Sequence, residues 1–444
     1  MPSSPPLSVT RSLHCEFTLN RCFFLAAIES VLIFSFCGRF LEEEDAPNAP
    51  SPGIIYEQYL KCDMSCMKRL TPRKGHGVCM DTVVHLGRKR GEDSLDVLSI
   101  DVNGSRVVRA DRGEEGGEAW ATAKLFAGMN ARYMQLYCWH PGNHFRFDAV
   151  NAITKKCLPV GHLLYVLLEP HLRHMGILDD TVLNNDKTSP LNAAGADNWA
   201  TRLYDANVFD GVELRKLVRE GAEGTDRLWL TPNMHSNLRI SVVYRRYYDV
   251  IHAFVGKVLK HLPDDDAEVM SWVAELSTEV VGFPKWEELG HEGLVVVVTN
   301  IIWCVSVAHS MDHQTMFNQA DGFGNMCLRL PPLKGGKVEK AGGALEHPES
   351  APTFWDTVKQ AHFDWMFVTW VKLPSLMPGD SGSLANVKYR FASVDGSAGQ
   401  KEALGWAAED FRHGLLQADR QLQGGWKGGI PLPTIHQIAP SVQF

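Results

Sequence analysis

From Ala119 onward, apolar residues recur at helical spacing over Ala121 to Leu136, Leu163 to Leu168, Leu214 to Val218, Tyr247 to Leu262, Ala267 to Val280 and Ala403 to Leu422. Each run predicts a helix with one face turned to a core. Loops containing Gly and Pro separate them, notably Leu330 to Gly343 and Met377 to Ser383. Upstream the pattern changes. Leu95 to Ile100 and Ser105 to Ala110 are short extended runs around Asn103-Gly104, a dipeptide suited to a two-residue hairpin turn. No internal repeat interrupts this order. The pattern predicts one large, mostly α-helical domain with a few short strands.

The most apolar stretch, Leu294 to Met311, reads LVVVVTNIIWCVSVAHSM. A membrane span is the first alternative to dispose of. Thr299, Asn300 and Ser306 interrupt it, and His309, Asp312 and His313 load one end. A central helix buried on all sides and carrying a polar site accounts for that pattern better. A second apolar run, Cys22 to Cys37, holds Glu29 and two serines and is short for a bilayer span, which needs roughly 20 apolar residues. Residues 1–55 are expected to form a leader outside the fold, and residues 56–444 the helical domain.

Composition narrows the class. The 444 residues are 45% hydrophobic and 22% charged, enough for a large core in a soluble globular protein. A formal charge of −8 and the lack of a dense Lys/Arg tract argue against nucleic acid as a partner. Ten cysteines show no paired rhythm, so a disulfide framework is not expected. Cys62 and Cys66 are spaced C-x-x-x-C, but no second pair or nearby His completes a zinc site. The thiols suit a reducing, cytoplasmic compartment, with a signal or anchor role for Cys22 to Cys37 as the alternative.

Three histidine-bearing features carry the candidate chemistry. His309 and His313 are four residues apart at the end of the buried helix, so both imidazoles lie on one face and can converge on a metal. Ser310 follows His309 where a zinc-protease motif needs a catalytic Glu, so metallohydrolysis is disfavoured. His140 and His144 are also four apart. Pro141 and Gly142 between them are poor helix formers, so spacing alone does not put this pair on one helical face. The third feature runs from His162 to Pro170-His171 and Arg173 around an apolar helix, where caps and buried hydrogen-bond donors are the plainer reading.

Their order is more informative than any one of them. Trp120-Ala-Thr-Ala-Lys124, Gln135-Leu136, His144, His162, Leu167-Leu168, Pro170-His171 and Arg173 resemble the lipoxygenase signature, although Leu163 replaces a usual proline. Gly282-Phe283-Pro284 leads to Trp303-Cys-Val-Ser306-Val-Ala-His309-Ser-Met-Asp-His313-Gln314, which is similar to that family's W-x-x-S-A-x-H-A-A-x-N/H-x-G-Q helix. Pro331-Pro332, Lys334-Gly335 and the closing Ile438-Ala-Pro-Ser-Val-Gln-Phe444 extend the likeness, which covers roughly residues 90–444.

The resemblance implies a helical catalytic domain, short on its N-terminal side and without the family's N-terminal β-barrel. It implies one non-haem iron, with manganese as the alternative ion, held by His140, His144, His309, His313 and the terminal carboxylate of Phe444. An ungapped comparison puts Trp139 at the family's first histidine, and His140 one place beyond, so the role of His140 stays open. The implied reaction inserts O2 into the 1,4-pentadiene unit of a polyunsaturated fatty acid and gives a hydroperoxide. A catalytically inactive lipid-binding relative and a hydroperoxide-rearranging relative are the alternatives. A monomer with peripheral membrane contact is expected. Phe145, Phe147, Leu164, Val298, Ile302 and Val305 are candidates for a fatty-acid channel, and equally for ordinary core. A stereochemistry-setting position is expected near Ala193, Ala194 and Gly195.

Overall fold

The computed structural model describes residues 41–46, 56–72, 79–90, 95–108, 114–173, 175, 210–223, 239–318, 333–334, 337–338, 382–425 and 432–442. Five strands come first: β1 (Glu42–Glu43), β2 (Tyr56–Asp63), β3 (Thr82–Lys89), β4 (Leu95–Val102) and β5 (Ser105–Val108). They form an antiparallel meander in sequence order. The turn between β4 and β5 is the one expected: Val102 pairs with Ser105, and Asn103 (φ 48°) and Gly104 (φ 73°) both take positive φ. That is the signature of a type I′ hairpin, whose twist matches its strands. β1 comes from the segment 1–55, with Glu42 opposite Lys61 and Glu43 opposite Leu60.

Sequence periodicity passed over β2 and β3 for a physical reason. The register slips between Tyr56 and Gln58 on one ladder and between His85 and Leu86 on the other, so the inward and outward positions do not alternate cleanly. Val84, Leu86, Ile100 and Val102 are nonetheless buried.

Helices follow. α1 (Glu114–Met134), α2 (Pro141–His144), α3 (Arg146–Cys157) and α4 (Leu163–Leu168) precede α5 (Gly211–Glu223) and α6 (Arg239–Leu259). Then come α7 (Ala267–Glu279), α8 (Trp286–Trp303) and α9 (His309–Asn318). A two-stranded ribbon, β6 (Leu333–Lys334) with β7 (Lys337–Val338), precedes α10 (Ala398–Gly425). The helices expected from periodicity are present, mostly with longer ends. α3 was not expected, since its apolar positions are diluted by Arg146, Asp148, Asn151, Lys155 and Lys156.

α8 runs through the apolar core. Helical turns from Trp286 to His313 are long and apolar enough to cross a membrane, but 89% of the most apolar stretch is buried inside the protein. Two of the polar interruptions are satisfied locally, since the Thr299 and Ser306 hydroxyls donate to the carbonyls of Val295 and Ile302. Val297, Val298, Ile301, Ile302 and Trp303 are fully buried, each contributing about 1.5–3 kcal/mol over exposure. Gly290 (φ 54°) breaks the ladder near the start, a conformation disfavoured for any residue with a Cβ.

α6 packs on α8, with Tyr244 edge-on to Trp303 at 5.4 Å, and α10 packs on α6, with Phe254 stacked on Phe411 at 4.3 Å. On the other side α7 holds α3 through Trp272, whose Nε1 donates to Thr154 Oγ1 at 2.9 Å. α1 is tied to the sheet by Asn130, which donates to the Met80 carbonyl (2.7 Å) and to Thr82 Oγ1 (2.9 Å). The site lies where α1 and α8 end.

Candidate metal centre

Both histidine pairs follow an interruption of the same kind. After α1 the chain makes a π-helical turn, Gln135–Trp139, and after α8 another, Cys304–Ala308. In the first, the His140 N–H reaches back five residues to the Gln135 carbonyl at 2.8 Å. The ladder then restarts: Asn143 N–H bonds to His140, and Phe145 N–H to Pro141. Pro141 thus occupies the first position of α2, where a missing N–H costs nothing. The question that Pro141 and Gly142 left open in the sequence is answered here, because His140 itself is helical (φ −61°, ψ −42°) and the next turn stays so. π turns are rare and collect at functional sites. Here each one aims the pair that follows it.

The four imidazoles meet. His144 Nε2 lies 2.8 Å from His140 Nε2 and 2.9 Å from His309 Nε2, and His309 Nε2 lies 2.9 Å from His313 Nε2. One ligand atom from each falls within 4.8 Å of all the others. His144 and His309 are buried, at 3% and 2% exposed, while His140 and His313 are partly buried. A set of hydrogen bonds cannot account for this. An imidazole nitrogen offers one in-plane proton or one lone pair, yet His144 Nε2 and His309 Nε2 each face two other ring nitrogens.

The charge state points the same way. Burial first, and the neighbouring imidazoles second, push the protonation of His144, His309 and His313 well below the ordinary range, so these rings are neutral. Neutral rings with convergent lone pairs in a water-poor site are what a cation requires. For metal–nitrogen bonds of about 2.05 Å, tetrahedral edges would be roughly 3.3 Å and right-angled edges roughly 2.9 Å. The three neighbouring separations, 2.8–2.9 Å, are close enough for one ion to be shared. A set of imidazole nitrogens suits a transition-metal ion such as iron, manganese or zinc.

A shell of polar groups supports the cluster. The wholly buried Asp312 carboxylate accepts from His140 Nδ1–H through Oδ2 and from Gln135 Nε2 through Oδ1 at 2.6 Å. Asp312 was legible only as a charge at the end of the apolar helix, and Gln135 only as part of a motif. No role for either could be read from spacing, because the contact joins residues 172 and 177 positions apart.

The chain end runs beside α9. Ser310 Oγ, one residue past His309, accepts from the Ala439 N–H at 3.0 Å. Leu384 N–H donates to Ile438 O at 2.7 Å, and Ser441 Oγ to Arg173 O at 3.2 Å. His171 is fully buried and donates from Nδ1 to the Pro440 carbonyl at 2.8 Å, while its Nε2 accepts from the Tyr389 hydroxyl at 2.9 Å. The expected ligand Phe444 lies outside the described residues, which end at the buried Val442.

The third histidine feature is structural. His162 caps α4 by accepting from Leu164 N–H at 3.2 Å, and Arg173 pairs with Glu169 on the same turn. Trp139, at the position compared with the family's first histidine, is buried in the core. Of the suggested channel residues, Phe147, Leu164, Val298, Ile302 and Val305 are fully buried in the main apolar cluster, with Phe145 packed against it. Ala193, Ala194 and Gly195 lie outside the described residues. Among the described residues, Cys62, Cys66, Cys79, Cys138, Cys157 and Cys304 form no disulfide.

No family model and no curated protein matches the chain. Solved structures do. A LOX variant structure aligns with TM-score 0.66 at 13% identity, over 96% of this chain and 66% of its own. The fold is that of the helical lipoxygenase catalytic domain. A fungal lipoxygenase from Fusarium graminearum gives TM-score 0.62 at 17% identity, covering 91% of this chain and 68% of its own. Coral 8R-lipoxygenase gives 0.63 at 13%, covering 94% and 66%. The chain thus spans about two thirds of the length of these lipoxygenases.

Proposed function

We propose that this chain is an iron-dependent lipoxygenase, inserting O2 into the 1,4-pentadiene unit of a polyunsaturated fatty acid to give a hydroperoxide. One observation carries the reading: four imidazole Nε2 atoms from two separate helical segments converge at 2.8–2.9 Å steps in a buried site. His140, His144, His309 and His313 would hold the ion, with the terminal carboxylate of Phe444 as a fifth group. The Ser310–Ala439 bond favours that fifth group, since it brings the chain end alongside α9. Iron in such a nitrogen and oxygen set supplies the one-electron chemistry that removes a hydrogen atom from the methylene between two cis double bonds.

The protein's share is to hold the neutral rings rigid and to keep water away. The end of α8 and the π turn after it do both, since Ile302, Trp303, Cys304, Val305, Ser306, Val307 and Ala308 are all buried. Fatty acid as substrate is supported by a LOX structure of this fold (TM-score 0.56) in complex with arachidonate.

The test uses the purified full-length chain, assayed for iron and for conjugated-diene absorbance with linoleate or arachidonate and O2. About one iron per chain and diene formation are expected, with both lost in His309→Ala. Full activity in His309→Ala would overturn the reading. Oxygen uptake compared with turnover of ready-made hydroperoxide separates a dioxygenase from a rearranging relative.

A further inference from the structure

Asp312 is the one carboxylate that touches the histidine cluster among the described residues, and it is 0% exposed. It does more than fill space. Gln135 and His140 stand at the two ends of the first π turn, joined by the five-residue hydrogen bond between their backbones. Both side chains then close on the same carboxylate, Gln135 on Oδ1 and His140 on Oδ2. A carboxylate only accepts, so the His140 proton must sit on Nδ1. That leaves the Nε2 lone pair facing His144 Nε2 at 2.8 Å. His144 and His309 have no such support, for their Nδ1 atoms find no partner among the described residues.

The geometry points to Asp312 as the positioning residue that makes His140 a ligand. It fixes the ring's tautomer and angle, and it places a carboxylate directly behind one of the four imidazoles. A carboxylate–imidazole–metal line of this kind raises ligand basicity, and losing it typically costs roughly 10–100-fold in metal affinity. Asp312 also sits on α9 between His309 and His313. The helix that supplies one ligand pair therefore orients a member of the other, and the two pairs do not assemble independently.

This inference rests on the proposed metal reading, and the experiment keeps the two apart. The readout is Co2+ affinity and ligand-field spectrum of the full-length chain, measured by titration without substrate. The variants are Asp312→Asn, which keeps the shape and removes the charge, His140→Gln, and the double substitution. Wild type should bind one Co2+. Asp312→Asn should bind it roughly 10–100-fold more weakly, with a spectrum shifted towards that of His140→Gln. In the double variant, Asp312→Asn should add little to the loss already caused by His140→Gln.

Wild-type affinity and spectrum in Asp312→Asn would overturn the role of Asp312 while leaving the metal centre standing. Full additivity of the two losses would also overturn it, since Asp312 would then act without His140. A wild-type chain that binds no Co2+ would remove the metal reading, and this inference with it. Circular dichroism of each variant separates loss of binding from loss of fold. Should Asp312→Asn fail to fold, Asp312→Glu, which keeps the charge but displaces it from His140 Nδ1, should still weaken Co2+ binding, wild-type affinity there overturning the role.

Discussion

His171 is held in its neutral form by its surroundings. Burial lowers its protonation to about pH 4, against the opposing pull of the Pro440 carbonyl. In the unfolded chain the ring titrates near the ordinary 6.5. Below that value the unfolded state takes up a proton that the folded state refuses, so stability declines as pH falls from about 6.5 to about 4. Above 6.5 this contribution is complete and flat. The loss amounts to up to about 3 kcal/mol for one such group. Urea midpoints of the wild type and His171→Gln, measured on metal-free protein across pH 4 to 7.5, should show a shallower acid slope in the variant. Parallel slopes would mean that His171 does not carry this dependence. Because the wild type and the variant share the four site histidines, the difference isolates His171.

The strap formed by the chain end hangs on few bonds, and one of them is Ser310 Oγ to the Ala439 N–H. Ser310→Ala leaves that buried N–H without its acceptor, a cost of about 1–3 kcal/mol. Ser310→Thr keeps an acceptor oxygen. Hydrogen exchange at Ala439 should speed up in Ser310→Ala and recover in Ser310→Thr, while α6 and α10 stay protected; unchanged exchange in Ser310→Ala would show that the strap does not depend on this bond. How much of this could be read from the chain differs by element. The buried helix ending in His309 and His313 was legible, because an apolar run closing in polar residues has one economical explanation. The β4–β5 hairpin was legible through Asn103-Gly104. The π turns were not. They alter hydrogen-bonding by one residue without changing composition, so Pro141 read as a helix breaker when it stands at a helix start. The carboxylate of Asp312 and the hydroxyl of Ser310 were invisible for another reason. Their partners lie more than a hundred residues away, and no local pattern encodes such a pairing.

Across the whole molecule, the two histidine pairs are anchored by separate parts of the core. α1 is bound to the sheet through Asn130, and α8 is wrapped by α6, which α10 covers in turn. An ion shared by His140, His144, His309 and His313 is therefore a cross-link between two helical segments of one core, which otherwise meet through packing and the Asp312 contacts. Its ligands are scattered in the unfolded chain, so the ion binds the folded state far better, and mass action converts binding into stability. Free ion at a hundredfold excess over Kd adds about 2.7 kcal/mol. The thermal midpoint of the chelator-treated protein should rise by a few degrees on adding Mn2+ or, anaerobically, Fe2+, and should fall again with excess chelator. His309→Ala removes a central member of the set, facing both His144 and His313, so its midpoint should respond little to either ion. An equal rise in wild type and His309→Ala would place the stabilising ion somewhere other than between these helices. A response confined to the wild type would show that the convergence of four rings is a binding site whose occupancy ties the segment after α1 to the segment after α8.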